Sequence, residues 1–159
     1  MPNLKILIAS DHAGYKLKST LFSFLEEKGY NVEDVGTNSE DSVDYPIFAL
    51  KLVEKLIYEG GHYGILICGT GVGMSIVANK FPYIRAANCS DSFTAKMARL
   101  HNNANVLCIG ERVVGEGLAK DIAEVFLATG FEGGRHQKRV ELIDGLAAKH
   151  WSEYLGGKQ

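Results

Sequence analysis

The strongest constraint on the fold is a regular alternation along the chain. Short runs rich in Ile, Val and Leu alternate with longer segments of helical period. Strands that alternate with helices form right-handed βαβ units, so the sheet is expected to be parallel and covered by helices on both faces. The pattern predicts an α/β fold, a three-layer α/β/α sandwich of Rossmann-like type with a five-stranded parallel sheet. The five predicted strands are Leu4–Ala9, Asn31–Val35, Tyr63–Cys68, Ile84–Cys89 and Asn105–Ile109.

The segments between the runs predict amphipathic helices, and no linker or repeat interrupts them. The 159 residues therefore predict one domain over 1–159. The last helix follows Gly133 and Gly134 and is expected to pack on a partner subunit. The apolar faces of the first two helices are Leu17, Leu21, Phe24, Leu25 and Phe48, Leu52, Leu56, Ile57. Four further helices are predicted near Val72–Lys80, Asp91–His101, Gly117–Thr129 and Gln137–Tyr154.

Charge and cysteine content exclude several classes of protein. Lys and Arg number 17 against 19 Asp and Glu, and this balance disfavours a nucleic-acid-binding face. No apolar stretch approaches the roughly 20 residues of a membrane span, and no basic leader precedes Leu4. The three cysteines lack the spacing of a metal site. We therefore expect a cytoplasmic protein with free thiols and no bound metal.

The glycine-rich segment Cys68–Met74 follows the third strand, and ligands of open α/β sheets bind at the carboxyl ends of strands. Gly69, Gly71 and Gly73 permit close backbone approach to a ligand, and the following helix begins at Val72. No lysine follows Gly73 as in a P-loop, and the spacing is not that of a dinucleotide fingerprint. Backbone N–H groups here are expected to bind a small oxyanion.

Cys68 begins this segment, and a thiol beside a helix N-terminus can act as a base or a nucleophile. The alternative is a buried cysteine that ends a strand, which we assign to Cys89 and Cys108. Thr70 is either a helix N-cap or a hydroxyl that moves a proton.

Two histidine-containing pairs also lie at element ends. Asp11 and His12 follow the first strand, where Asp11 can cap the first helix and still contact a substrate. His101 and Asn102 end the fourth helix. There a histidine either stabilises the helix dipole or acts as an acid or base near neutral pH.

Arg135 and Arg139 lie four residues apart at a predicted helix start, so they share one face. Such a pair is either a solvated basic turn or a clamp for one phosphate, with Arg112 as a third candidate. A thiol base, an oxyanion nest, a histidine and an arginine clamp suit proton abstraction beside the carbonyl of a sugar phosphate. The expected reaction is an aldose–ketose isomerisation without a metal or cofactor.

These residues resemble the type B ribose-5-phosphate isomerase family, which also includes galactose-6-phosphate isomerase subunits. The resemblance runs from about Lys5 to about Gly145. Met74 stands where a subgroup without the cysteine has its glutamate, so the chain resembles the cysteine-dependent members. The segments that carry it are Ala9–Gly14, Asp44–Pro46, Cys68–Met74, His101–Asn102 and the Arg135/Arg139 pair.

The resemblance implies interconversion of ribose 5-phosphate and ribulose 5-phosphate in the pentose phosphate pathway. It implies Cys68 as the base, His101 as the acid for ring opening, and Thr70 as a proton shuttle. It also implies homodimers, sometimes paired into tetramers, whose active sites are completed across the interface. His101, Asn102 and Arg112 are expected to reach the neighbouring subunit's Cys68. The implied substrate-binding residues are Asp11, His12, Tyr45, Gly69, Gly71, Val72, Gly73, Asn102, Arg112, Arg135 and Arg139.

Three alternatives remain at this stage. A six-carbon substrate, galactose 6-phosphate or allose 6-phosphate, would use the same loop and arginines. A non-catalytic sugar-phosphate-binding module would not need Cys68. A thiol redox protein would need a resolving cysteine beside Cys68.

Overall fold

The computed structural model describes residues 4–156 and contains five parallel strands in one sheet, in the order β2-β1-β3-β5-β4. This confirms the predicted fold class. The strands are β1 (Lys5–Ser10), β2 (Asn31–Asp34), β3 (Tyr63–Cys68), β4 (Ala86–Asn88) and β5 (Val106–Gly110). The three central strands are almost wholly buried, because helices cover both of their faces.

The helices divide between the two faces of the sheet, as the alternating pattern requires. They are α1 (Tyr15–Glu27), α2 (Tyr45–Lys55), α3 (Val72–Ala78), α4 (Ser92–Asn102), α5 (Glu116–Ala128) and α6 (Arg135–Gly156). Apolar side chains of α1, α4 and α5 form the core on one face, and those of α2 and α3 form the core on the other. No helix within residues 4–156 is long and apolar enough to cross a membrane.

The predicted strand boundaries hold within two residues, and the largest difference is at the start of β4. It was expected to begin at Ile84 but begins at Ala86. The N–H of Ile84 closes a turn onto the carbonyl of Phe81, and the N–H of Arg85 donates to Asn105 Oδ1 at 2.8 Å. Because these N–H groups bond within a turn and to a side chain, they are not available for strand pairing, and the strand begins later than the apolar run.

Helix α6 packs in part on its own chain. Val140 is buried, and Asp144 accepts from Arg85 at 3.2 Å, which ties the helix to the start of β4. Further along, α6 presents exposed apolar side chains, namely Leu142, Ile143, Leu146, Trp151 and Tyr154. These exposed side chains are the ones available to a partner subunit, and the expected packing on a partner stays a prediction.

Candidate active site

The carboxyl ends of β1 and β3 form a crevice, because the chain leaves these neighbouring strands in opposite directions along the sheet. The N–H of Asp11 donates to the carbonyl of Ile67 at 3.3 Å, which joins the two strand ends. A Cβ on Gly14 would lie 2.7 Å from backbone atoms of Ile67. Glycine therefore lets the segment after β1 lie directly against the end of β3.

Asp11 and His12 are both held in place at this crevice. Asp11 is 5% exposed, and its Oδ1 accepts from the N–H of Gly14 at 3.1 Å. It caps a short 3-10 turn, His12–Gly14, rather than α1 itself. His12 Nδ1 accepts from the N–H of Val43 at 3.2 Å, so a neutral His12 ring carries its proton on Nε2. Val43 belongs to the loop between β2 and α2, and its N–H orients the His12 ring.

The thiol of Cys68 lies at the base of the glycine-rich loop and is 6% exposed. Its Sγ accepts from the N–H of Gly71 at 3.2 Å, so a backbone dipole points at the sulfur. Gly71 has φ of 80°, a left-handed conformation, and a Cβ there would lie 2.3 Å from Asn88 Oδ1. The loop therefore requires glycine at this position.

Asn88 and Thr70 shape the far side of the loop. Asn88 Nδ2 donates to the carbonyl of Thr70 at 3.3 Å, and Thr70 Oγ1 accepts from the N–H of Val72 at 3.4 Å. Gly71, not Thr70, precedes α3, so Thr70 is not the N-cap. Sequence reasoning missed Asn88, although its place at the end of β4 was a usable signal. A cavity of about 230 Å³ lies here, lined by Thr70, Val72, Asn88, Cys89, Ser90, Gly110 and Val113.

Tyr45 and Arg112 both reach the same loop from other elements. A Cβ on Gly73 would lie 2.8 Å from two atoms of the Tyr45 ring, and one on Gly69 would lie 3.3 Å from an Arg112 guanidinium nitrogen. The Arg112 guanidinium therefore packs beside its own chain's loop, and its expected reach to a neighbouring subunit's Cys68 stays a prediction. The N–H of Arg112 also donates to the carbonyl of Gly69 at 3.0 Å, which fixes this arrangement.

His101, Asn102, Arg135 and Arg139 lie elsewhere. Helix α4 ends at Asn102 and leads into the amino end of β5, whereas Cys68 is paired with Gly110 at the carboxyl end of β5. Five residues of β5 separate the two edges, a span of about 13 Å. The sequence-predicted site residues therefore form two groups on opposite edges of the sheet, and one chain does not bring them together.

The surroundings of His101 contain a histidine that the sequence did not single out. The His101 and His136 rings stack with centroids 4.3 Å apart and planes 11° from parallel. Glu132 Oε2 lies 3.7 Å from His101 Nε2 and 3.5 Å from His136 Nε2. Burial, followed by the charges of His101 and Arg135, lowers the pKa of His136. His136 is therefore neutral at neutral pH.

His101, Glu132 and His136 are also the group within residues 4–156 that comes nearest to a metal site. Their ligand atoms lie within 4.8 Å of one another. The lone pair of an imidazole nitrogen lies in its ring plane, and these two planes are nearly parallel. One ion cannot lie in both planes unless a ring turns, so the arrangement suits stacking better than coordination.

The other two cysteines behave as the sequence predicted. Cys89 and Cys108 are buried and free. Burial raises the pKa of Cys89 to about 11, with a smaller effect from Asp91, and burial raises the pKa of Cys108 well above its usual value. Both remain neutral thiols at pH 7 and belong to the core.

Comparison with known proteins places this geometry in context. Residues 6–143 match the family model described as Ribose/Galactose Isomerase. The chain is 49% identical to ribose-5-phosphate isomerase B of Escherichia coli, over 89% of this chain and 95% of that protein. The structure resembles ribose-5-phosphate isomerase B of Clostridium thermocellum, with a TM-score of 0.90, 51% identity and coverage of 92% and 99%. It also resembles the enzyme of Thermotoga maritima, with a TM-score of 0.87, 50% identity and coverage of 89% and 98%.

Proposed function

This chain belongs to the ribose/galactose isomerase family, and we propose on that premise that it interconverts D-ribose 5-phosphate and D-ribulose 5-phosphate. The observation that carries the chemistry is the position of Cys68, whose sulfur accepts a backbone N–H at the base of a glycine-rich loop. All three proteins described above, from E. coli, C. thermocellum and T. maritima, are named for the five-carbon substrate. That choice of substrate is the one we carry over to this chain.

The reaction begins with the closed furanose. His101 donates a proton to the ring oxygen while the anomeric hydroxyl loses its own to solvent water, and the ring opens to the aldehyde. The Cys68 thiolate then removes the proton from C2, and the electron pair moves toward the carbonyl to give an enediolate. Thr70 moves the hydroxyl proton between O2 and O1, and Cys68 returns its proton to C1 to give the ketose.

The loop from Gly69 to Gly73 is the proposed site of the enediolate oxygens. Its backbone N–H groups are oriented before the substrate arrives, because Gly71 lies against Asn88 in a left-handed conformation that the loop requires. Donors that are already oriented stabilise developing negative charge without reorganisation. Asp11, Tyr45 and Asn102 are proposed to bind sugar hydroxyls.

The phosphate is proposed to bind the arginines. Arg135 and Arg139 are exposed on the first two turns of α6 and share a face. Arg112 lies at the other edge of the sheet beside the glycine-rich loop, and His12 follows β1 at that same edge. Guanidinium groups bind phosphate oxygens through paired N–H donors.

A complete site therefore needs two copies of the chain. The base and the loop lie at the carboxyl edge of the sheet, and the acid with two arginines lies at the amino edge. A homodimer in which each subunit offers its amino edge to the other's loop would build two sites. The exposed apolar side chains of α6, such as Leu146 and Trp151, would be covered in such an interface.

A complementation assay tests both the reaction and the shared site. Cys68→Ala and His101→Asn are purified separately, mixed under conditions that exchange subunits, and assayed with ribose 5-phosphate. Each variant alone should be inactive, whereas a mixed dimer restores one site. About half of randomly exchanged dimers are mixed, so about a quarter of wild-type activity should return. No recovery in a mixture proven to contain mixed dimers would overturn the shared site.

The wild-type assay decides the substrate. Turnover of ribose 5-phosphate by the wild-type chain supports the five-carbon reaction. If the dimer turns over galactose 6-phosphate or allose 6-phosphate but not ribose 5-phosphate, the substrate proposal is wrong while the isomerase chemistry stands. Binding without turnover of any of the three would contradict the role of Cys68.

A further inference from the structure

The ring of His101, at the end of α4, packs against a second histidine ring. The His101 side chain is 39% exposed, and one face of its ring is covered by the nearly parallel ring of His136. His136 is 6% exposed, so its own position is fixed by packing. An imidazole stacked on a fixed ring cannot turn freely about its side-chain bonds, so its nitrogen atoms keep a set direction.

Glu132 is held against both histidines by its backbone. The N–H of Glu132 donates to the carbonyl of Leu100 at 3.1 Å, which attaches this segment to the last turn of α4. The N–H of His136 donates to the carbonyl of Gly133 at 3.0 Å, which fixes the start of α6. Two backbone hydrogen bonds therefore hold the short segment that carries Glu132, and its carboxylate lies close to both rings.

The charges in this cluster favour a positive charge on at most one of the two rings. Two stacked imidazolium rings would repel each other, and a single carboxylate faces them. The other charged groups near His136 are Arg135 and Arg139, both positive. Arg135 Nε also donates to His136 Nε2 at 3.4 Å, which needs His136 to be neutral. A proton shared with Glu132 therefore belongs to the more exposed ring, His101.

We propose that His136 and Glu132 are positioning residues for His101, His136 by holding its ring plane and remaining uncharged, and Glu132 by stabilising its protonated form. The inference rests on the proposed function, in which His101 is the acid that opens the sugar ring. Neither His136 nor Glu132 needs to touch the substrate. Their effect is to fix the direction from which His101 donates its proton.

Substitutions at position 136 distinguish the effect of a stacked aromatic ring from the effect of a ring that can bind a proton. His136→Phe keeps an aromatic surface for stacking and should retain most of kcat. His136→Ala frees the His101 ring, and kcat should fall about tenfold to a hundredfold with little change in KM, because a small misplacement of a reacting group has effects of this size. A loss confined to KM would overturn the proposal and assign His136 to the orientation of Arg135. Thermal melting shows whether each variant is folded.

A substitution at position 132 tests whether the negative charge of the Glu132 carboxylate acts on His101. Glu132→Gln keeps the shape and removes the carboxylate, so the basic limb of the kcat–pH profile should move to lower pH. The matched control is Glu153→Gln, since Glu153 lies 3.8 Å from His150 on the exposed part of α6. The control should leave the profile unchanged. An unchanged profile in Glu132→Gln would overturn the role of Glu132.

A measurement without turnover keeps this inference separate from the proposed function. The ring protons of His136 are followed by NMR against pH in the wild-type protein and in His101→Asn. Removing the neighbouring charge should raise the titration midpoint of His136, and an unchanged midpoint would overturn the coupling between the rings. If the midpoint moves but the wild-type protein isomerises no sugar phosphate, the proposed function fails and the coupled histidine pair stands.

Discussion

The ring of Tyr45 lies directly on Gly73, so that an added Cβ would lie 2.8 Å from two ring atoms. Gly73 is the second residue of α3, where alanine would otherwise favour the helix by up to about 1 kcal/mol. We therefore expect Gly73→Ala to leave stability nearly unchanged, because the partly exposed ring can move aside. The displaced Tyr45 should lose its substrate contact, and KM should rise about three- to tenfold.

The control for Gly73→Ala is Gly117→Ala. Gly117 is also the second residue of a helix, α5, and no atom lies within 4 Å of a Cβ placed there. Steady-state kinetics and urea unfolding of both variants separate helix propensity from displacement of Tyr45. Equal KM values in the two variants would show that Tyr45 does not bind substrate.

Cys68→Ala should lower kcat by about a hundredfold or more, the usual contribution of a positioned base, while the protein remains folded. Cys108→Ala is the comparison, because Cys108 is fully buried one strand away and remains a neutral thiol. It should reduce the free energy of unfolding by about 1 kcal/mol and leave kcat near wild type. Near-normal turnover by Cys68→Ala would show that another group is the base.

Arg135→Ala and Arg139→Ala should each raise KM. A charge-assisted bond to phosphate contributes roughly 1.5–3 kcal/mol, which corresponds to about a tenfold to hundredfold change. Lys138→Ala removes an exposed positive charge from the same turn and should change KM little. If all three substitutions have the same small effect, the arginines form a solvated face and do not bind phosphate.

The lowered pKa of His136 predicts a dependence of stability on pH. Between the folded pKa of His136 and the usual histidine value near 6.5, the unfolded chain binds more protons than the folded one. The free energy of unfolding should therefore rise with pH through this window. Urea unfolding at a series of pH values should show a shallower rise for His136→Phe than for wild type, and identical slopes would contradict the burial of a neutral His136.

Dialysis against EDTA should leave kcat and KM unchanged. The reaction proposed here needs a thiol, a histidine and backbone donors, and the stacked rings of His101 and His136 do not suit a shared ion. Activity that falls with EDTA and returns with added Zn²⁺ would contradict this prediction and make the cluster with Glu132 a metal site.

Sequence reasoning predicted the fold correctly, and it placed several candidate site residues at the carboxyl ends of the strands, where the structure has them; their roles stay predictions. The apolar runs located all five strands, since buried strands need continuous apolar residues, and the loop from Cys68 to Gly73 follows directly from strand ends. It missed Asn88, Glu132 and His136. Each of these residues contacts a side chain or loop on another element, and that contact exists only in the folded chain. An isolated polar residue also gives no periodic pattern in the sequence.

The sequence by itself determined the α/β architecture, the glycine-rich loop and the residues able to perform the chemistry. These depend on local properties, namely apolar periodicity, glycine conformation and side-chain type. Only the tertiary structure decided that Arg112 lies beside its own loop while His101 lies at the opposite edge of the sheet. Strand order and direction set that separation. The stacking of His101 on His136 likewise arises where α4 meets α6, which no local pattern encodes.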